Sequence, residues 1–336
     1  MAISLPKDLA LELYRRMRLI RRFEERVAEL VDANEIAGIC HEYVGQEAVA
    51  VGVCAALAQD DIITSTHRGH GHIIAKGGEV KFMLAELFGR TGGYNRGRGG
   101  SMHIADLGLG IFGANGIVGA GAPMACGAAY RFKLAGQKRV AVPFFGDGAI
   151  NQGVLHEALN LGAIWHLPVV YICENNMYAI TTPLREVTKR PPHERARAYG
   201  MEGSVADGMD VQAVYEAALH AVQAARDGLG PSFLEFETYR YVGHYTAEKL
   251  MKTSYRTDAE IETWRLRDPI QRWGRRLVDA ACASEADLER IHQSVEEELD
   301  DAFVFATQSP LPDARTALDH VYHTTYAGLP APGYEP

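Results

Sequence analysis

The 336-residue sequence has little that would suit a secreted, membrane-spanning or nucleic-acid-binding protein. Only five cysteines occur (Cys40, Cys54, Cys126, Cys173 and Cys282), and no two form a Cys-x-x-Cys pair. Cys54, Cys126 and Cys173 sit in apolar or small-residue runs, where a reduced thiol behaves as a small hydrophobe. This argues against a disulfide framework and for a reducing cytoplasm. Long hydrophobic runs are missing as well. The longest uncharged stretch, Leu107 to Tyr130, is glycine-rich and contains Asn115 and Pro123, which makes it a poor membrane helix. Charges at Lys7, Asp8 and Glu12 interrupt any apolar leader. Positive charge is in deficit, with a net charge of −9, so a nucleic-acid backbone is repelled. Only a local basic pocket for a small anion is compatible with that balance. Internal repeats and low-complexity segments are absent. The expectation is a soluble, cytoplasmic protein that binds no membrane and no nucleic acid.

The chain is 47% hydrophobic, enough for a large core. Between residues 8 and 31, apolar positions at Leu9, Leu13, Met17, Ile20, Phe23, Val27 and Leu30 form one helical stripe. Glu47 to Ala58 reads as a more buried helix, and Asp61 to Thr64 as a short apolar run. From Thr64 to Gly127 glycine is dense, which predicts long loops near a ligand more than regular structure. The middle alternates cleanly: strand 139–145, helix 151–165, strand 168–173, helix 211–225 and strand 232–239. Apolar strands alternating with helices predict an α/β fold, a parallel sheet with helices on both faces. A helical N-terminal arm (1–40) and a C-terminal extension and tail (258–336) flank a single domain of 1–336. The stretch 258–306 reads as helical with a capped start at Asp258-Ala-Glu-Ile, and the prolines scattered over 310–336 predict an extended tail.

The chemistry concentrates in Phe144-Phe-Gly-Asp-Gly-Ala-Ile-Asn-Gln-Gly153 and Cys173-Glu-Asn-Asn-Met-Tyr178. Asp147 stands between two glycines at the carboxyl end of a strand, where ligands of open parallel sheets bind. Gly146 and Gly148 let backbone approach an anion, and a helix opening near Ala149 would aim N–H groups there. The segment from Ala149 to Glu174 is long enough for one helix and one strand, so the next strand ends at Asn175-Asn176. Asp147, the Asn176 amide and a loop carbonyl are hard oxygen ligands suited to magnesium shared with phosphate. Asp-Gly alone is a common turn pair. The whole constellation is far more specific.

Asp147 framed by glycines, followed after the segment 149–174 by paired asparagines, resembles the thiamine-diphosphate signature. The wording from Phe144 to Asn176 is similar to the alpha subunits of 2-oxo acid and acetoin dehydrogenases, and the likeness runs from about Leu11 to about Ile270. The resemblance implies a thiamine-diphosphate-binding fold and both thiamine diphosphate and Mg2+ as cofactors. It implies Asp147, Asn176 and the Tyr178 carbonyl as metal ligands, with Gly148 and Ala149 at the diphosphate. It further places Gly116 and Val118, in Gly113-Ala-Asn-Gly-Ile-Val-Gly119, against the aminopyrimidine. In Thr66-His-Arg-Gly-His-Gly-His72, it gives Arg68 to the diphosphate, His67 to cofactor binding and His70 to the thiazolium side. In Tyr239-Arg-Tyr-Val-Gly-His244, it gives His244 the diphosphate end and a part in transfer to lipoate.

Within the family, the tyrosine of pyruvate-type members is His67 here, which leans toward acetoin. The stretch Tyr245 to Ser254 departs from the phosphorylatable serine loop of animal pyruvate-type enzymes, with Tyr245 in place of the first serine. The glutamate that activates the cofactor ring belongs to a separate beta subunit in two-chain members. The implied assembly is two alpha plus two beta chains, with a lipoyl acyltransferase partner and a small-molecule substrate. Three rival readings remain from the residues alone: a zinc cluster of His67, His70 and His72, a nicotinamide site at Gly116–Gly121, and a noncatalytic scaffold. The nicotinamide reading lacks a proper G-x-G-x-x-G spacing.

Overall fold

In the computed structural model, which describes residues 3–250 and 254–317, the chain opens with α1 (Lys7–Asp32) and α2 (Glu47–Ala55). Strand β1 (Ile62–Thr64) leads to α3 (His70–Ala75), α4 (Val80–Leu87) and, after a long loop, α5 (Gly121–Leu134). Then come β2 (Ala141–Gly146), α6 (Gly153–Ile164) and β3 (Val170–Asn175). A small hairpin, β4 (Tyr178–Ala179) and β5 (Thr182–Pro183), precedes α7 (Leu184–Val187), β6 (Glu202–Asp207), α8 (Val211–Arg226) and β7 (Ser232–Glu237). The extension comprises α9 (Asp258–Arg265), α10 (Pro269–Asp279) and α11 (Glu285–Gln308).

The five-stranded sheet has the order β1-β2-β3-β7-β6 and every pairing is parallel. Side chains alternate between its faces. Val170 and Ile172 of β3 join Leu234 and Phe236 of β7 in the core under α1, α2 and α8. Tyr171 and Cys173 join Phe233 in the core under α5 and α6. Both faces are covered, as near-continuous apolar strands require. The helix stripe predicted at 8–31 is the buried face of α1. No described helix is long and apolar enough to cross a membrane.

Four expectations change. Three helices interrupt the glycine-dense span, because short apolar segments such as His70–Ala75 bury completely under α1 and α2. No helix opens at Ala149: Asp147–Asn151 is a 3-10 turn, and α6 starts only at Gly153. The stretch 258–306 is three helices, broken where Pro269 takes the first turn of α10 under an Asp268 cap, and the cap of α9 is Thr257. Strand β6 has no apolar run to announce it, since it is an edge strand with mostly exposed or half-buried residues. The tail beyond residue 317 lies outside the described residues.

The sheet is tied to the C-terminal extension at Asp210. Its carboxylate caps α8 by accepting from the N–H groups of Gln212 and Ala213. The same oxygens take Arg276 at 2.9 Å and Arg272 at 3.0 Å from α10. Asp210 is buried, so Asp210→Ala removes a cap and takes a shared carboxylate from two guanidiniums, leaving Arg272 on Asp207 and Arg276 on Gln212. A loss of about 2–4 kcal/mol of stability is expected, read as a lower urea midpoint at unchanged slope.

Candidate active site

Neighbouring parallel strands β2 and β3 are in register at Gly146 and Glu174, so Asp147 and Asn176 leave the sheet side by side at its carboxyl edge. A cavity of about 460 Å³ opens there. Its walls are the turn after β1 (Ser65 to Arg68), the loop 115–119, the ends of β2 and β3, and Arg240 and His244 beyond β7. Segments far apart in sequence meet because strand ends in a parallel sheet all face one way.

One end of the cavity is acidic. Asp147 is 1% exposed, and its Oδ2 has no hydrogen-bond partner among the described residues. Burial pushes its carboxyl up to about 7. A buried carboxylate oxygen left bare is costly, and a cation removes that cost. Asn176 Nδ2 donates to Gln46 Oε1 at 3.0 Å, which fixes the amide and turns Oδ1 the other way. The Tyr178 hydroxyl donates to Glu260 at 2.8 Å, leaving the backbone carbonyl as the oxygen Tyr178 can offer a cation. Met177 and Ile180 bracket this turn at φ values of 71° and 56°, left-handed conformations that non-glycine residues adopt only when held. At position 148 a Cβ would lie 2.9 Å from the Ala179 methyl, so only glycine fits beneath the hairpin. Ala149 is buried beside it.

The other end is cationic. Arg68 and Arg240 are both buried. Arg68 donates to the carbonyls of Glu42 at 2.5 Å and His244 at 3.0 Å, and Arg240 to that of Ile180 at 2.9 Å and the Tyr255 hydroxyl at 2.6 Å. Neither has a carboxylate within ion-pair distance among the described residues. Burial, then the field of Arg240, pushes Arg68 down to about 9, and burial also lowers Arg240. His41, His67 and His244 crowd the same end, with ring nitrogens all within 4.8 Å. Burial first, and Arg68 next, push them down to about 4, 2 and 3, so all three are neutral near pH 7. The fields of Arg68 and Arg240 act on all three rings, and Arg68 Nη2 lies 3.3 Å from His244 Nδ1. Such a cluster suits an anion rather than a metal ion.

Gly116 and Val118 both line the cavity, from a loop in which Asn115 Oδ1 accepts from the Ile117 N–H at 2.9 Å. A Cβ on Gly116 would meet only Met102 Sδ, at 4.0 Å, so this backbone is open to a ligand. His70 is not brought to the cavity. It is 1% exposed, with Nδ1 on Glu24 at 2.9 Å and Nε2 on Ser101 at 3.0 Å. It therefore braces the segment carrying Met102 instead of facing a ligand. His72 turns to Glu174 at 3.0 Å and Ser65 at 2.7 Å. His67, His70 and His72 thus keep separate partners and form no zinc cluster.

Sequence reasoning missed several wall residues, among them His41, Gln46, Glu174 and Arg240. Polar residues set among glycine and apolar neighbours, as in His41-Glu-Tyr-Val-Gly-Gln46, were the available signal. Glu174 gave none, because a strand residue shows its face only once the sheet is built.

The dehydrogenase E1 component family model matches residues 15–315. The alpha subunit of acetoin:2,6-dichlorophenolindophenol oxidoreductase from Bacillus subtilis is 47% identical over 322 residues, 95% of each chain. Its counterpart from Cupriavidus necator is 42% identical over 323 residues, 96% of each chain. The pyruvate dehydrogenase E1 component alpha subunit of Rickettsia bellii is 39% identical over 317 residues, covering 94% of this chain and 96% of the relative. The chain belongs to the dehydrogenase E1 component family, as an alpha subunit of a thiamine-diphosphate-dependent oxidoreductase that acts with a beta subunit.

Proposed function

We propose that the cavity grips the diphosphate end of thiamine diphosphate through Mg2+, at the interface of a two-alpha, two-beta assembly. The assembled enzyme acts on acetoin in preference to pyruvate or a branched-chain 2-oxo acid, and hands the acyl group to a lipoyl acyltransferase. The observation that carries this reading is the separation of charge within one cavity. A bare buried carboxylate oxygen at Asp147 faces a cation, and two buried guanidiniums at Arg68 and Arg240 face an anion. A magnesium diphosphate presents both charges in one ligand.

Asp147, Asn176 Oδ1 and the Tyr178 carbonyl would hold the metal, with backbone of Gly148 and Ala149 near the phosphates. Arg68, with its planar fork, suits phosphate oxygens, and His67 lines the same wall. Gly116 and Val118 supply backbone and an apolar edge for a flat heteroaromatic ring. When bound, thiamine diphosphate supplies the carbanion chemistry that side chains lack. His244 has a defined tautomer. Its Nδ1 faces the donors Arg68 Nη2 and Arg240 Nη1 at 3.3 and 3.5 Å, so it accepts, and the ring proton resides on Nε2. A neutral histidine of that tautomer can donate at the cavity wall.

The rim supports a covering partner. Ile117 is 73% exposed and Ile180 56%, with Val118 also exposed at the cavity wall. An apolar rim around a polar cavity is a surface for a beta subunit. The preference for acetoin rests on His67 and on the higher identity to the acetoin relatives, 47% and 42% against 41% for a pyruvate relative from Rhizobium meliloti.

Two outcomes test the reading. Asp147→Ala should weaken Mg2+-dependent retention of thiamine diphosphate by at least about 100-fold, since a ligand and its charge go together, while the fold is kept. Titration calorimetry showing unchanged affinity would remove Asp147 from the site. The isolated chain, given Mg2+ and thiamine diphosphate, should not reduce dichlorophenolindophenol with either substrate. With its beta subunit it should, at a higher kcat/KM for acetoin than for pyruvate. Turnover by the lone chain at the rate of the pair would overturn the interface site, and a higher value for pyruvate would overturn the substrate.

A further inference from the structure

Behind the turn that carries Asn176 and Tyr178 lies a second polar cluster, outside the cavity wall. Glu235 of β7 is 2% exposed, with no lysine or arginine within ion-pair distance among the described residues. Its Oε1 accepts from Asn175 Nδ2 at 2.6 Å. Its Oε2 accepts from the backbone N–H of His193 at 3.0 Å and pairs with His193 Nδ1 at 2.6 Å. Asn175 in turn uses its Oδ1 to accept from the Met177 N–H at 3.1 Å. Met177 is the residue held at φ 71°, between the two proposed metal-ligating residues. Strands β3 and β7 pair Cys173 with Glu235 and Asn175 with Glu237, so the Glu235 and Asn175 side chains share one sheet face.

The bonding pattern has only one polarity. An ionised carboxylate accepts and never donates, so Asn175 must turn its NH2 toward Glu235 and its oxygen toward Met177. With the amide reversed, NH2 would face the Met177 N–H and the turn would lose its acceptor. We propose that Glu235 is a positioning residue: by fixing the Asn175 amide, it sets the left-handed Met177 and so aims Asn176 Oδ1 and the Tyr178 carbonyl at the metal. This rests on the magnesium-diphosphate reading of the cavity. Groups behind metal ligands act in this way in general, and their loss typically costs about 10–100-fold in affinity.

Substitution by glutamine isolates polarity from size. In Glu235→Gln one carboxylate oxygen becomes a donor. Facing Asn175, it meets the NH2 or forces the amide to reverse; facing His193, it meets two donors. The reciprocal change, Glu235→Gln together with Asn175→Asp, restores every partner. The introduced glutamine would donate its NH2 to one oxygen of the introduced aspartate, whose other oxygen would accept from Met177. The glutamine carbonyl would accept from His193. The number of charges is that of the natural pair.

The test uses the assembled alpha–beta protein with saturating thiamine diphosphate and Mn2+ as the paramagnetic probe, titrated by electron spin resonance. The thermal midpoint of the metal-free protein is recorded alongside. Glu235→Gln should weaken Mn2+ binding about 10–100-fold, with a small change in that midpoint, and the double variant should recover most of the affinity. Unchanged Mn2+ affinity in Glu235→Gln overturns the proposal. So does a loss that the double variant fails to recover, or one that simply follows the thermal midpoint. If Glu235→Gln does not assemble, the double variant decides alone: assembly with near-natural affinity supports the polarity argument, and weak binding overturns it. Should the natural protein bind Mn2+ no better than Asp147→Ala, the metal site itself fails, and this inference with it.

Discussion

Uncompensated charge buried at the two ends of one cavity is the constraint on which this site depends. Among the described residues, Asp147 lacks a partner for Oδ2, and Arg68 and Arg240 have no carboxylate within ion-pair distance. In a low-dielectric wall each such group costs several kcal/mol of desolvation unless a ligand offsets it. The protein could have closed the gap by placing acid against base, as it does elsewhere. Arg21, for example, pairs with Glu47 at 2.5 Å and Asp268 at 2.9 Å, where α1 meets α2 and α10. At the strand ends the opposite charges stay apart, as the proposed ligand, which bears both, would require.

Around this cavity the rigid parts are held by buried acids that each engage a histidine. Glu24 holds His70, Glu174 holds His72, and Glu235 holds His193. None of these three histidines faces the ligand space. Each brings two elements together: α1 with α3, β3 with α3, and β7 with the 3-10 segment Pro192–Tyr199. The cavity wall is thus fixed from behind by hydrogen bonds, while its front rim at Ile117 and Ile180 is apolar and exposed. A polar, braced interior with an apolar lip is the arrangement expected where a second subunit completes a site.

In the proposed reading, the residues of this cavity bear only on the cofactor's charged end. That restriction accounts for relatives bearing acetoin and pyruvate names at 38% to 47% identity. In that reading, His67 apart, nothing in a grip on a diphosphate distinguishes one small ketone from another.

Much was legible in the sequence, for local reasons. The spacing from Gly-Asp-Gly to Asn-Asn requires one strand–helix–strand unit, and apolar runs at 139–145 and 168–173 can bury on both faces only in a covered parallel sheet. Those two facts determine the fold class and put Asp147 beside Asn176. The sequence did not determine which histidines face the cavity. His67, His70 and His72 are near neighbours in the chain, yet it turns into α3 at His70 and swings the latter two behind the wall. Nor did it mark Arg240, His41 or Glu174, whose relevance comes from segments distant in sequence meeting at one sheet edge. Edge strand β6 stayed hidden because hydrogen bonding to β7, not apolar burial, makes it a strand. Local pattern therefore set the sheet and the place of Asp147, and only long-range packing decided which polar side chains surround the cavity, because a side chain's facing depends on neighbours that its own segment does not contain.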